Sequence, residues 1–220
     1  MKIIAHIPAR GGSKRVPRKN LRLINEKPMI AYIIDAAKNV SIIDELYVNT
    51  DDAEILKVGE DFGALPYMRS KKLADDNATS DEFNYDIIKK LQPDILVMLN
   101  PVCPLISSSD IEEAINAFNS RDCDTLITSS KTKMQVFVEQ EPVNISLNEM
   151  LKPTQDNPEV HTLNWAITIW DAKKFVERFD ALGYASLGEK RHLHPINEFK
   201  AVKVSYEEDF DLVTRLMKTL

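Results

Sequence analysis

Short apolar runs alternate with amphipathic stretches along this chain, and the alternation predicts its elements. Lys2–Ile7 reads as a strand. Pro28–Asn39 predicts a helix, with proline in its first turn and Ile30, Ile33, Ile34 and Ala37 on one face. Leu46–Asn49 predicts a strand, and Asp52–Phe62 a helix closed by Gly63. Thr79-Ser80-Asp81-Glu82 is a capping box that opens a helix to Lys90. Ile95–Leu99 is an apolar run between Pro93 and Pro101, hence a buried strand. Ser109-Asp110-Ile111-Glu112 reads as a second capping box for a helix to Ser120, followed by a strand at Thr125–Thr128. Leu163–Trp170, Asp171–Phe179 and Ala201–Val204 predict a strand, a helix and a last strand. Ser205-Tyr206-Glu207-Glu208 then opens a final helix, with Ser205 as its cap.

This β-α-β-α rhythm predicts a three-layer α/β fold, a mostly parallel sheet with helices on both faces, in one domain over residues 1–220. Ligands of such sheets sit beyond the C-terminal ends of the strands. Residues 131–163 break the rhythm with Pro142, Pro153, Pro158 and several Asn and Gln. A structureless loop of that length is uncommon in a compact domain, so an excursion such as a hairpin arm reaching a partner is expected.

Composition narrows the class. With 44% apolar and 28% charged residues, the chain is neither disordered, collagenous nor coiled-coil. Two cysteines, Cys103 and Cys123, make no disulfide framework, so a cytoplasmic, reducing setting is expected. No apolar run approaches the roughly 18 residues of a membrane span, and the first residues lack a signal-peptide core. The net charge of −6 argues against nucleic acid as a partner. That mean hides an asymmetry. Residues 1–30 carry eight Lys or Arg and one acid, a head of +7 on a body of −13.

Most of that charge lies in Ile7-Pro8-Ala9-Arg10-Gly11-Gly12-Ser13-Lys14-Arg15-Val16-Pro17-Arg18-Lys19-Asn20, directly after the first strand. Adjacent glycines let the backbone approach a ligand, and successive N–H groups in a turn form an anion site. Five cations without an acid suit polyphosphate. The segment is neither a Walker A loop nor G-x-G-x-x-G.

The segment resembles the signature of the cytidylyltransferases that activate nine-carbon acidic sugars, the CMP-sialic acid synthetases and their pseudaminate and legionaminate relatives. Their pattern is close to I-P-A-R-x-G-S-K-x-[IVL]-x-x-K-N. The likeness continues through Asn25–Tyr32, through Val48-Asn49-Thr50-Asp51-Asp52-Ala53-Glu54-Ile55, and through Arg69–Ser80. The resemblance implies a Rossmann-like nucleotidyltransferase fold, a hairpin arm that pairs subunits into a homodimer, and transfer of CMP from CTP to a 2-keto acid sugar for cell-surface polysaccharide. It implies that Arg10, Gly11, Gly12, Ser13, Lys14, Lys19 and Asn20 hold the triphosphate, with Arg10 or Lys19 neutralising the departing pyrophosphate. Arg69, Ala78 and Ser80 would frame the cytosine, Asn100 and Asn164 would meet the sugar, and Mg²⁺ would assist.

The second half departs from the pattern. Leu99-Asn100-Pro101-Val102-Cys103-Pro104-Leu105 resembles L-Q-P-T-S-P-L with two hydroxyls lost and Asn for Gln. Trp165 stands where the family has a small Gly, near the expected acceptor or in the core. Lys203 and Ser205 occupy the positions of the family's metal-binding aspartates. Either the Lys203 ammonium partly substitutes for metal charge, or catalysis is altered or lost. A cytidine-nucleotide-binding homologue and a transferase using another nucleotide are therefore the alternatives. His192-x-His194, Lys190, Arg191 and Cys103 read as ordinary structural positions, since no third metal ligand or neighbouring base accompanies them.

Overall fold

The computed structural model describes residues 1–218. In chain order the elements are β1 (Ile3–Pro8), β2 (Leu23–Ile24), β3 (Lys27–Pro28), α1 (Met29–Lys38), β4 (Glu45–Thr50), α2 (Ala53–Asp61), β5 (Leu65–Met68), α3 (Ser80–Leu91), β6 (Ile95–Leu99) and α4 (Ser108–Asn119). They continue with β7 (Thr125–Thr132), β8 (Phe137–Val138), β9 (Glu141–Pro142), β10 (Val160–Asp171), α5 (Ala172–Leu182), β11 (Arg191–Pro195) and α6 (Glu207–Leu216). Seven strands form one sheet in the order β11-β7-β10-β6-β1-β4-β5. Only β10 runs antiparallel to its neighbours.

Alternation along β1 explains the layers. Ile3, Ala5 and Ile7 pack with α1 and α4 through Ile30, Ile33, Ile34, Ile111 and Ala114. Ile4 points the other way, toward Ile87 and Ile88 of α3 and Phe175 of α5. Burying such side chains contributes about 1.5–3 kcal/mol each. The chain leaves β1 toward β4 and β5, then returns to the opposite side at β6. The C-terminal ends of β1 and β6 therefore flank the switch point, where this architecture opens a crevice.

Several boundaries differ from the sequence reading. The α4 box lies two residues earlier, at Ser107 and Asp110, because the Asp110 carboxylate accepts the Ser107 N–H at 2.8 Å and is pinned by Lys200. Tyr206, rather than Ser205, caps α6, and the Asp209 carboxylate accepts the N–H groups of both, each at 2.8 Å. Ala201–Val204 is not a strand. The last strand is β11, whose Arg-His-Leu-His-Pro lacks an apolar run but pairs in parallel with β7 at the sheet edge. The short, Pro66-containing β5 is the other edge. The two ends of the 131–163 excursion are ladder: β7 and β10 pair from Val160–Thr132 to Leu163–Ser129, and a short β8–β9 ribbon lies between them in the chain, while most of 143–159 is turn and irregular backbone.

His6 is fully buried in β1, with its Nε2 unpartnered and its ring edge-on to Phe83. Burial first, then the nearby Arg69 charge, lowers its pKa to about 3. The unfolded chain binds that proton near the ordinary value of 6.5, and the folded chain refuses it until about 3. Stability is thus complete above pH 6.5 and falls as pH drops through that window, at up to about 1.4 kcal/mol per pH unit. Melting curves from pH 7 to 4 should show this slope, and His6→Gln should lack its share.

Candidate active site

The basic loop is anchored at its start by backbone. Ala9 N–H donates to the Asn49 carbonyl at 2.9 Å, and Gly11 N–H to the Asp51 carboxylate at 3.1 Å. A Cβ on Gly11 would lie 2.6 Å from Asp52 Oδ2, while one on Gly12 would meet nothing within 4 Å. The first glycine thus serves close approach to the α2 cap, and the second leaves the turn open. Arg10 reaches the Asp76 carboxylate at 3.0 Å, and Lys14 pairs with the same group, which lowers its pKa. Buried Asn20 donates to the Arg10 carbonyl at 3.5 Å, and its own amide oxygen has no partner. Lys19 turns away from Asp76 and donates to the Val204 carbonyl at 2.8 Å. Burial, then Arg15, Lys203 and Arg10, lowers its pKa to about 8, against a smaller pull from Asp209.

Beyond the strand ends lies a cleft of about 710 Å³. Arg10, Arg69, Ala78, Ser80 and Asn100 line it, so five residues picked from the sequence meet in one place. Arg69 follows β5 and is only 5% exposed. Its guanidinium lies 5.0 Å from the Phe83 ring centroid, and its Nε and one Nη find no partner. Burial disfavours its charge, and Asp51 opposes that loss. A buried donor fork with free N–H groups at a cleft wall is suited to an acceptor-rich ligand, because leaving it unsatisfied is costly. The Ser80 hydroxyl lies 3.4 Å from that of Ser186, across the cleft mouth.

The opposite wall comes from an irregularity in β10. Register breaks between Leu163 and Thr168, and Trp165 adopts φ +57°. The bulge turns the indole into the cleft lining instead of the core. Asn164 creates that bulge rather than lining the cleft. Its Oδ1 accepts the Thr128 hydroxyl at 2.7 Å and the Ala166 N–H at 3.2 Å, and its Nδ2 donates to Ser130. The Asn100 amide donates to the Trp165 carbonyl at 3.4 Å. Gly11, Gly12, Ser13, Lys14, Lys19 and Asn20 stand beside the cleft on the basic loop. Phe83, Asp76 and Ser186 also line it. Asp76 lies within the Arg69–Ser80 likeness but without an assigned role, Phe83 is hinted at only by a capping-box frame placing it four residues into α3, and Ser186 escapes the sequence reading.

The donor set does not suit a divalent cation held by the C-terminal segment. The Asp209 carboxylate is engaged by two N–H groups, Lys203 brings an ammonium, and Ser205 stands alone. Among the described residues, no three His, Cys, Asp or Glu gather as a metal site. His192 and His194 lie side by side on β11 with ring centroids 6.1 Å apart, and burial lowers both pKa values. Cys103 is buried, with its thiol pushed up to about 11, which makes it a poor nucleophile.

The cytidylyltransferase family profile matches residues 4–210. The chain belongs to the cytidylyltransferase family. The post-translational flagellin modification protein B of Campylobacter coli is 32% identical over 98% of this chain and 95% of its own. Pseudaminic acid cytidylyltransferase of Campylobacter jejuni is 40% identical over 54% of this chain, a stretch spanning about half of that relative, 53%. The CMP-N,N'-diacetyllegionaminic acid synthase of Legionella pneumophila is 29% identical over 99% and 97% of the two chains. Among solved structures, CMP:2-keto-3-deoxy-manno-octonic acid synthetase complexed with CTP superposes with a TM-score of 0.73 at 18% identity, over 100% of this chain and 99% of the other. That likeness shows the nucleotidyltransferase fold in this cytidylyltransferase.

Proposed function

We propose that this chain transfers CMP from CTP to the anomeric hydroxyl of a sialic-acid-like 2-keto acid sugar. The hydroxyl oxygen attacks the α-phosphorus, the bond to the β-phosphate oxygen breaks, and pyrophosphate leaves as the hydroxyl proton is released. Catalysis of this kind rests on positioning and charge stabilisation. Arg10 and Lys19 supply charge to the triphosphate, while Arg69, Ala78 and Ser80 frame the base. The observation that carries the reading is Arg69, a buried guanidinium with free N–H groups on the wall of the same cleft that Arg10 enters. The sugar would lie toward Asn100 and Trp165, in a reducing cytosol, for a surface glycan. CTP with a panel of nine-carbon and eight-carbon 2-keto acid sugars should release pyrophosphate with at least one acceptor. No release with any of them counts against the transfer.

A second reading is favoured by the donor set around Lys203: a chain that binds cytidine nucleotides with altered or lost transfer. Binding without turnover across the same panel would support it. A homodimer through the 131–163 excursion is part of the proposal, because Met134, Val138, Leu147, Met150 and Leu151 are exposed there. Sedimentation should give a dimer, and Leu151→Asp with Met150→Asp should shift it toward monomer.

Lys19 sets a pH dependence. With its pKa lowered to about 8, the free amine is neutral above that pH, and binding a polyphosphate then requires proton uptake. CTP affinity should hold below pH 8 and fall above it, by up to about tenfold per pH unit. Titrations between pH 7 and 9.5 check this, and Lys19→Met should bind weakly without the slope.

A further inference from the structure

The cations around the cleft fall into two sets. Arg10 and Lys14 share Asp76, Arg18 pairs with Glu54, and Arg22 pairs with Glu207. Arg15, Lys19 and Lys203 have no carboxylate in an ion pair among the described residues. These three belong to two segments that the fold presses together. The Lys19 amine holds the carbonyl of Val204, next to Lys203, at 2.8 Å. Arg15 lies over the Tyr206 ring at 5.1 Å, and Arg22 over Phe210 at 3.9 Å. Val204 N–H donates to the Val102 carbonyl at 2.9 Å, so residues 203–206 are clamped between the basic loop and the turn after β6. Lys203 presses electrostatically on Lys19. Asp209 is the one acid whose field reaches Lys19, and its carboxylate is already engaged by the Ser205 and Tyr206 N–H groups. Like charges with so little counter-charge are relieved by an anion, and most by one of several charges.

We propose that Lys203, with Arg15 and Lys19, forms a cradle for the terminal phosphates of the nucleoside triphosphate, so that binding does not depend on a divalent cation held by the protein. The proposal rests on the CTP reading above. Lys203 and Ser205 stand where the resembled family carries metal-binding aspartates, and the ammonium replaces charge that a metal would bring. It ties nucleotide affinity to a residue 184 positions along the chain from Lys19. CMP lacks the terminal phosphates and should not sense it.

The test is calorimetric titration of the full chain with CTP and with CMP, in EDTA and in excess Mg²⁺. The wild-type chain is expected to bind CTP in EDTA within about threefold of its Mg²⁺ value. Lys203→Met should weaken CTP in EDTA roughly tenfold, the loss of one charge-assisted contact. The same variant should bind CMP unchanged, which a merely structural loss would not allow. Lys203→Arg should restore binding, and Lys203→Asp should make CTP depend on Mg²⁺. Wild-type binding abolished by EDTA, or a Lys203→Met variant with wild-type CTP affinity, overturns the cradle while leaving the CTP reading intact. Failure to bind CTP and CMP under either condition overturns both.

Discussion

Arg10→Ala is expected to lower kcat/KM for CTP by roughly a thousandfold, the scale of removing one cation from a phosphoryl-transfer site. In the resting protein the guanidinium is spent on Asp76 at 3.0 Å, at the lip of the cleft. That pair is largely exposed, so it contributes little to stability. Arg10 can therefore exchange Asp76 for phosphate oxygens at little cost. Lys14, which also pairs with Asp76, leaves the carboxylate a second cation when Arg10 moves. The melting temperature of the Ala variant should stay within about 2 °C of wild type. Arg10→Lys keeps charge but loses the planar fork and should recover only part of the rate. Initial rates of pyrophosphate release check all three. A stable Arg10→Ala protein with wild-type rates would remove Arg10 from the mechanism.

Arg69→Met should separate function from stability in the opposite direction. Arg69 is 5% exposed, and two of its nitrogens lack partners. An unsatisfied buried guanidinium is destabilising, and an apolar side chain of similar length against Phe83 removes that cost. Stability is expected to rise by about 1–3 kcal/mol. Asp51 keeps its Gly11 N–H, so the exchange strands no carboxylate without a hydrogen bond. CTP affinity should fall on the order of a hundredfold, as the guanidinium on the cleft wall, with its unpartnered donors, is lost. Calorimetric melting and CTP titration of the same sample give both signs at once. A variant that melts lower would make Arg69 a structural residue.

The part of the site legible in the sequence is the part that is contiguous. The residues just after β1 carry their own chemistry, adjacent glycines and five cations with no acid among them in sequence, and the fold needs only to expose them. Arg69, Ala78 and Ser80 were legible through motif likeness, because nothing local to Arg69 marks it as buried. Phe83 was not legible: its role depends on α3 crossing over β1 beside His6. Nor was Trp165, since a positive φ in a bulge is set by Asn164, Thr128 and Ser130 from two strands. The layer order followed from apolar periodicity, whereas the edge strands β5 and β11 lack it. The α6 cap was misplaced for a related reason. Ser205 is the better capping residue type, but the Asp209 carboxylate decides the frame.

A crystal structure with CTP would show whether a cytidine triphosphate lies across this one cleft. The expected map places the triphosphate along Arg10–Lys19 with its end toward Lys203, and the cytosine between Arg69, Ala78 and Ser80. A nucleotide seated elsewhere, for instance in the cavity of about 400 Å³ lined by Trp170, Arg178 and Lys190, would contradict it.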